Sequence, residues 1–145
     1  MRISGEIDFP PETGGFVYIF YFVNDNVKIP FYVGEALSFH ARMTDYIRKQ
    51  FSCTTDFNVG TAAEYLRSKG RPVKVRYWQA KNRKWEETQE ILELRGKGYP
   101  LLNKQLGYRY RTANRMQQQS RIHAFVDTVF LLLHRGEEGW ANPVF

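Results

Sequence analysis

Two runs of aromatic and β-branched residues decide the fold, Phe16-Val-Tyr-Ile-Phe-Tyr-Phe-Val23 and Ile29-Pro-Phe-Tyr-Val33. Runs of this length and composition are typical of buried β-strands. The polar stretch Asn24-Asp-Asn26 between them is typical of a tight turn, and Gly34 ends the second run. We therefore predict an antiparallel β-hairpin.

The rest of the chain alternates between helical and extended patterns. Apolar spacing predicts four helices, over residues 37–50, 61–69, 83–95 and 111–133. Residues 73–78 alternate between apolar and basic side chains and predict a half-buried strand, whereas residues 1–15 and 54–60 are predicted to be loops. This order predicts a small α/β domain, in which a three-stranded antiparallel sheet is flanked by helices and followed by a C-terminal helix.

The composition is that of a globular domain with an uneven basic surplus. The chain has 145 residues, of which 43% are hydrophobic, and a net charge of +6, so a disordered or collagen-like chain is excluded. From Arg67 to Arg121 the net charge is +11, whereas the remainder carries −5. Such asymmetry indicates a polyanionic partner, usually nucleic acid, and a solvated basic surface with no partner is the alternative.

Cysteine and histidine usage argues against a disulfide or zinc scaffold. Cys53 is the only cysteine, and His40, His123 and His134 are widely spaced, so we expect no zinc site and a reducing compartment. The N-terminal residues do not form a secretory signal, and the longest apolar run, residues 129–133, is too short for a bilayer. We therefore expect a cytoplasmic, intracellular protein that does not enter a membrane.

Polar and aromatic side chains follow the predicted strands in a fixed order. Tyr18 lies in the first strand, and Tyr32 lies two residues before Gly34 at the end of the second. Arg42 and Tyr46 follow on the next helix, where a spacing of four residues places both on one face. A Glu-rich helix comes later, and the stretch Pro100-Leu-Leu-Asn103 follows it.

This order resembles the GIY-YIG nuclease family. Residues 31–46 are similar to the corresponding nuclease segment of its UvrC-like members, and residues 100–103 resemble the family's closing Pro-x-x-Asn. The resemblance covers residues 14–104, which we expect to form a nuclease-like core within a single domain of residues 1–145. Residues 107–135 would then form a basic and amphipathic helical extension.

The resemblance implies a divalent-metal-dependent DNA endonuclease that hydrolyses phosphodiester bonds. It implies one divalent cation, Mg²⁺ or Mn²⁺, held by one glutamate. Tyr18 would be the general base or orient the water, with Tyr32 beside it, and Arg42 would stabilise the phosphate. Tyr46 would assist proton transfer, and Asn103 would support the site. The expected catalytic residues are Tyr18, Tyr32, Arg42, Tyr46, Glu87 and Asn103.

Two glutamates are candidates for the metal ligand. Members of the family have apolar residues after the ligand, and Ile91 and Leu94 stand four and seven positions after Glu87. Glu87 is therefore the preferred ligand and Glu90 the alternative. Glu87 precedes Asn103 by 16 residues, a longer spacing than in UvrC-like members.

Two further departures from the family pattern motivate a second hypothesis. Phe16 replaces the family's opening glycine, although Gly14 and Gly15 stand just upstream, and Glu35 stands where a basic residue often follows Gly34. The alternative is a catalytically inactive nucleic-acid-binding protein that retains the nuclease fold. A third hypothesis is a structural domain that binds a partner through its basic surface.

Basic side chains outside the catalytic set are expected to contact DNA. They are His40, Lys74, Arg76, Arg109, Arg111 and Arg115. The C-terminal helix becomes apolar after these arginines, from Ile122 to Leu133. Its apolar face either packs on the core or forms a homodimer contact.

Overall fold

The computed structural model describes residues 2–3, 15–48, 54–103 and 115–134. The elements in chain order are β1 (Arg2–Ile3), β2 (Phe16–Asn24), β3 (Val27–Ala36), α1 (Phe39–Arg48), α2 (Thr54–Ser68), β4 (Val73–Gln79), α3 (Arg83–Gly96) and α4 (Arg115–His134).

The sheet has the strand order β1-β4-β2-β3, and β2 is antiparallel to both of its neighbours. The predicted three-stranded antiparallel sheet is therefore confirmed. The short strand β1 adds a parallel edge, with Arg2 opposite Lys74 and Ile3 opposite Val75. The prediction of a loop over residues 1–15 was wrong at these two residues, because a two-residue strand has no periodicity and depends on the edge it joins.

The predicted turn between β2 and β3 is present. Asp25 and Asn26 have φ angles of 49° and 66°, the left-handed conformation that a two-residue hairpin turn requires. The register shifts between Phe20 and Tyr21, which leaves Phe31 as an extra residue in β3. Pro30 lies beside this bulge on an edge strand, where its missing N–H is tolerated.

The two faces of the sheet are covered by different helices. Tyr18 and Tyr32 lie on the face that packs on α1, where Phe39 stacks on Tyr77 with ring centroids 4.0 Å apart. The opposite face packs on α3, and a hydrogen bond from Trp78 Nε1 of β4 to Glu86 Oε1 of α3, 3.2 Å long, joins the two elements. Residues 16–22 of β2 are consequently buried on both faces.

The helices α1 and α3 were predicted closely, but α2 begins earlier than expected. The prediction of a loop over residues 54–60 was wrong, since α2 already begins at Thr54. Its first turns pack against α4, where Gln118 Nε2 donates to Asn58 Oδ1 at 3.2 Å and both side chains are buried. This tertiary contact outweighs the weak helix propensity of the local Thr, Asp and Asn residues.

The apolar face of α4 packs on the core. Ile122, Val126 and Val129 are buried, and Tyr65 of α2 stacks on the His123 ring with centroids 3.9 Å apart. The dimer contact stays a prediction, for which Met116 and Leu131 are the exposed apolar side chains. Within the described ranges, no helix combines the length and the apolar content that crossing a bilayer would require.

Candidate active site

Tyr18 of β2 and Tyr46 of α1 meet inside the core. Their hydroxyl oxygens lie 3.4 Å apart, and either hydroxyl can donate the hydrogen bond. Tyr18 is 1% exposed and Tyr46 is 6% exposed. The Tyr32 ring of β3 lies on the same face of the sheet, 6.3 Å from the Tyr18 ring between centroids. Three of the predicted catalytic residues therefore form one cluster built from three elements.

Gly34 creates the space that the Tyr18 ring occupies. The two residues are opposite each other in the β2–β3 register. A Cβ atom at position 34 would lie 2.5 Å from the Tyr18 hydroxyl oxygen and 2.7 Å from its Cε2, which is closer than non-bonded atoms can approach. Sequence reasoning used Gly34 as a motif residue but did not assign this role, because it depends on strand register.

Asn103 holds the free edge of β3. Its Oδ1 accepts from the Val33 N–H at 2.9 Å, its Nδ2 donates to the Val33 carbonyl at 2.6 Å, and the Leu102 N–H donates to the Phe31 carbonyl at 2.6 Å. The Arg95 guanidinium donates to the Asn103 carbonyl oxygen. The Asn103 side chain thus satisfies the backbone N–H and C=O groups of Val33, next to Tyr32, and keeps β3 in place. Sequence reasoning missed the contribution of Arg95.

Arg42 and His40 lie on α1 but in different surroundings. Arg42 is half-buried and lies one helical turn before Tyr46, as their spacing predicts. His40 is exposed at the start of the helix. Ser38 caps this helix by accepting from the Ala41 N–H at 3.2 Å.

The glutamates of α3 lie across the sheet from the tyrosine cluster. Glu87 and Glu90 are both half-buried, and Glu87 shares a stripe with the buried Ile91 and Leu94. Because α3 covers the face opposite to Tyr18, the sheet separates the two glutamates from the tyrosine cluster. The structure therefore brings the three tyrosines together, whereas the two glutamates lie on the helix that covers the opposite face of the sheet.

Glu90 is held in an unfavourable electrostatic position. Its pKa is raised, first by burial and then by the neighbouring Glu93, although Arg76 and Lys97 oppose the shift. Glu86 has the opposite behaviour, since hydrogen bonds from the backbone N–H groups of Asn82 and Lys81 and from Trp78 lower its pKa. Glu86 is therefore a helix-capping group, and Glu90 is the carboxylate that would gain more from a nearby cation.

Glu35 is compensated by a cation that the sequence did not reveal. Its Oε2 accepts from Arg83 Nε at 2.7 Å, which joins β3 to the first turn of α3. The backbone of Gly15, with a φ angle of 85°, passes beside this arginine, where a Cβ would lie 2.6 Å from Arg83 Cδ. Phe16 is fully buried and packs against Phe39 with ring centroids 5.9 Å apart. Glu35 and Phe16, the two residues that depart from the family pattern, thus each contact a residue of this chain, Arg83 and Phe39 respectively.

The glutamates of α3 are suited to a cation that is coordinated by few protein groups. Within the residues that the structure describes, no group of three or more His, Cys, Asp or Glu side chains comes together. A single half-buried glutamate with water completing the shell is a donor set that suits Mg²⁺ or Mn²⁺, since these ions keep several waters. Glu87, or Glu90 in its place, would hold such an ion.

The predicted DNA contacts divide into described and undescribed residues. Lys74 and Arg76 are half-buried on the α3 face of β4, and the Arg76 guanidinium lies 5.1 Å from the Trp78 ring centroid. Arg109 and Arg111 lie outside the described residues, and of Arg115 only the backbone, at the start of α4, is described.

Comparison of the chain with family models, with curated proteins and with solved structures finds no match. The resemblance to the GIY-YIG nucleases therefore rests on the motif residues of the sequence alone.

Proposed function

We propose that this chain is a divalent-metal-dependent DNA endonuclease that hydrolyses phosphodiester bonds by a GIY-YIG-type mechanism. The observation that supports the proposal is the buried contact between Tyr18 and Tyr46, which lies beside Tyr32 and over Gly34. A core needs no paired hydroxyl groups for packing, and phenylalanine would fill the same volume without a polar atom to satisfy.

In the proposed mechanism, each side chain acts on a different part of the phosphodiester. Tyr18 orients the attacking water, or takes its proton while giving its own hydroxyl proton to Tyr46, which in turn releases its hydroxyl proton to solvent. Arg42 donates charge-assisted hydrogen bonds to the phosphate oxygens, where negative charge increases in the transition state. Glu87 would hold a divalent cation, which would supply positive charge against the phosphate and the leaving oxygen.

Asn103 acts in this mechanism as a positioning residue. Its amide occupies both the donor and the acceptor of Val33, so it fixes the strand that carries Tyr32 and Gly34. Its neighbour Tyr32 is 9% exposed, and it is the most accessible of the three clustered tyrosines. Tyr32 is therefore the tyrosine of the cluster that a bound DNA strand meets first.

A second candidate is a DNA-binding protein that does not cut. It is favoured by the burial of the Tyr18 hydroxyl, because a side chain that is 1% exposed has to move before it can contact substrate. In this second function the tyrosine cluster only supports the core, and the basic surface around β4 binds the DNA.

A nicking assay separates the two candidates. Supercoiled plasmid and single-stranded DNA are incubated with the protein in Mg²⁺, in Mn²⁺ and in chelator, over a range of salt concentrations. The endonuclease produces nicked or linear plasmid only with the metal. Binding in a gel-shift assay without any metal-dependent nicking would support the second candidate, and the absence of both would leave a structural partner-binding domain.

A further inference from the structure

A shallow cavity lies where the first turns of α3 cross β4, on the sheet face opposite to Tyr18. Its volume is about 320 Å³, and its lining combines two indole rings, a guanidinium group, two carboxylates and an amide from Arg76, Trp78, Trp85, Glu86, Gln89 and Glu90. The volume is at the lower end of the range for small-ligand sites. No residue of the tyrosine cluster lines this cavity.

One wall of the cavity is held rigidly by its own hydrogen bonds. Trp78 donates its indole N–H to Glu86 Oε1, and Glu86 Oε2 accepts from the backbone N–H groups of Lys81 and Asn82 at 2.9 Å each. The Arg76 guanidinium lies 5.1 Å from the Trp78 ring centroid. This wall is therefore a fixed aromatic and cationic surface whose indole N–H and capping carboxylate are already engaged.

The other wall is a solvent-exposed tryptophan. Trp85 is 59% exposed, and its backbone N–H is fixed by the capping residue Asn82. Leu92 on the same helix is equally exposed but does not line the cavity, so exposure alone does not distinguish Trp85. What distinguishes Trp85 is that it lines a cavity together with a second tryptophan and an arginine.

The charges around the cavity define how a nucleotide would enter it. The two carboxylates inside would repel a phosphate group, whereas Lys81 and Lys84 are exposed near the N-terminus of α3. A nucleobase suits the interior, because its flat ring stacks on indole and its exocyclic amine can donate to Glu90 or Gln89. The sugar and phosphate then remain outside, beside the lysines.

We propose that this cavity binds a single unpaired nucleobase of a DNA strand, which stacks on Trp85. The ring faces of paired bases are covered by their neighbours in a duplex, so the site requires single-stranded or locally opened DNA. The proposal shares with the proposed function DNA as the partner and Glu90, the alternative metal ligand, and it does not require cleavage.

The test compares Trp85→Ala, Trp85→Phe and the matched control Leu92→Ala by fluorescence anisotropy. The probes are a labelled single-stranded oligonucleotide, an abasic oligonucleotide of the same length and a duplex. We expect Trp85→Ala to weaken binding of the base-containing single strand by about 5- to 150-fold, the range for loss of one aromatic–base stack. Trp85→Phe retains most of the affinity, and Leu92→Ala retains all of it.

The abasic probe gives the decisive comparison. All four proteins should bind it equally, because it presents the same phosphates and no base. A Trp85→Ala variant that binds the base-containing strand like the wild type, or that loses equal affinity for the abasic strand, would overturn the proposal. The nicking assay is read independently, so failed cleavage leaves the stacking result standing, and failed stacking leaves the nuclease proposal standing.

Discussion

The ring of Tyr18 lies over Gly34, directly across the β2–β3 pair, at a distance that leaves no room for a side chain at position 34. The hydroxyl group of Tyr18 then contacts that of Tyr46, although 28 residues separate the two tyrosines. A glycine in one strand thus determines where a polar atom of another strand can lie inside the core.

Gly34→Ala should displace the Tyr18 ring. The added methyl group overlaps the phenol, and overpacking of this kind costs about 1–3 kcal/mol of the free energy of unfolding. Urea denaturation measures the loss. The matched control is Gly96→Ala at the end of α3, where nothing lies within 4 Å of the added atom and no loss of stability is expected. Equal stability of Gly34→Ala and wild type would contradict the close approach.

Tyr46→Phe should separate the chemical role of the hydroxyl pair from its packing role. The ring remains and keeps its edge contact with Phe20, whose centroid lies 5.2 Å away. The free energy of unfolding should fall by only about 0.5–1.5 kcal/mol, the usual net value of one hydrogen bond. Nicking should fall by about 10²-fold or more if the hydroxyl passes a proton.

The control for this variant is Tyr77→Phe, which removes another phenol oxygen from the same face of the sheet. It should leave the nicking rate unchanged. A Tyr46→Phe protein that cuts DNA at the wild-type rate would restrict the tyrosine pair to a structural role.

The glutamates of α3 allow the metal ligand to be identified within one helix. Glu87→Gln keeps the side-chain volume and should abolish nicking while gel-shift binding to DNA stays intact. Glu93→Gln is the control, because Glu93 is exposed and pairs with Lys97 at 3.3 Å. If Glu90→Gln abolishes nicking and Glu87→Gln does not, the ligand is Glu90. Restoration of activity by raising the Mn²⁺ concentration would show that the lost group binds the cation.

Arg42→Ala should reduce the nicking rate by about 10²-fold or more, because a donor to the transition-state charge is lost. Binding of uncleaved DNA should change little, since one contact among many is removed. Arg67→Ala is the control, as Arg67 is an exposed arginine in the last turn of α2. An active Arg42→Ala variant would make Arg42 a surface residue with no part in the chemistry.

Elements with a strong local pattern could be predicted from the sequence. The strand β2 is a continuous aromatic and β-branched run, β4 and α3 carry their own periodicity, and Asp25 and Asn26 are residues that tolerate the left-handed turn conformation. The first turns of α2 could not be predicted, because the buried pair of Asn58 and Gln118 forms only when α4 packs on α2. The local composition of residues 54–60 does not reveal a partner that lies 60 residues further along the chain.

The candidate site also contains some features that could be predicted from the sequence and others that could not. Tyr18, Tyr32 and Tyr46 were predicted as a group, and the sheet register together with α1 brings them together. The ion pair of Glu35 with Arg83 spans 48 residues and depends on how α3 crosses β3. The choice between Glu87 and Glu90 stays open for a similar reason, since helical spacing keeps both carboxylates half-buried on α3.

Two neighbouring glutamates of α3 should respond to pH in opposite directions. The pKa of Glu90 is raised above 4.5 by burial, so its ionisation destabilises the folded state. At pH values below the ordinary pKa of a glutamate, Glu90 is protonated in both the folded and the unfolded state. The loss of stability appears as pH rises through the raised pKa. Glu90→Gln should therefore be more stable than the wild type at neutral pH and equal to it in acid.

The pKa of Glu86 is lowered below 4.5, chiefly by the hydrogen bond from the Asn82 N–H, so its ionised form stabilises the folded state. That stability is present at pH values above the ordinary pKa of a glutamate and is lost as pH falls through the lowered pKa of Glu86. Glu86→Gln should thus be less stable than the wild type at neutral pH, and the difference should vanish in acid. Urea midpoints from about pH 3 to about pH 8 check both variants. Differences of the same sign would contradict the separate roles of the two carboxylates.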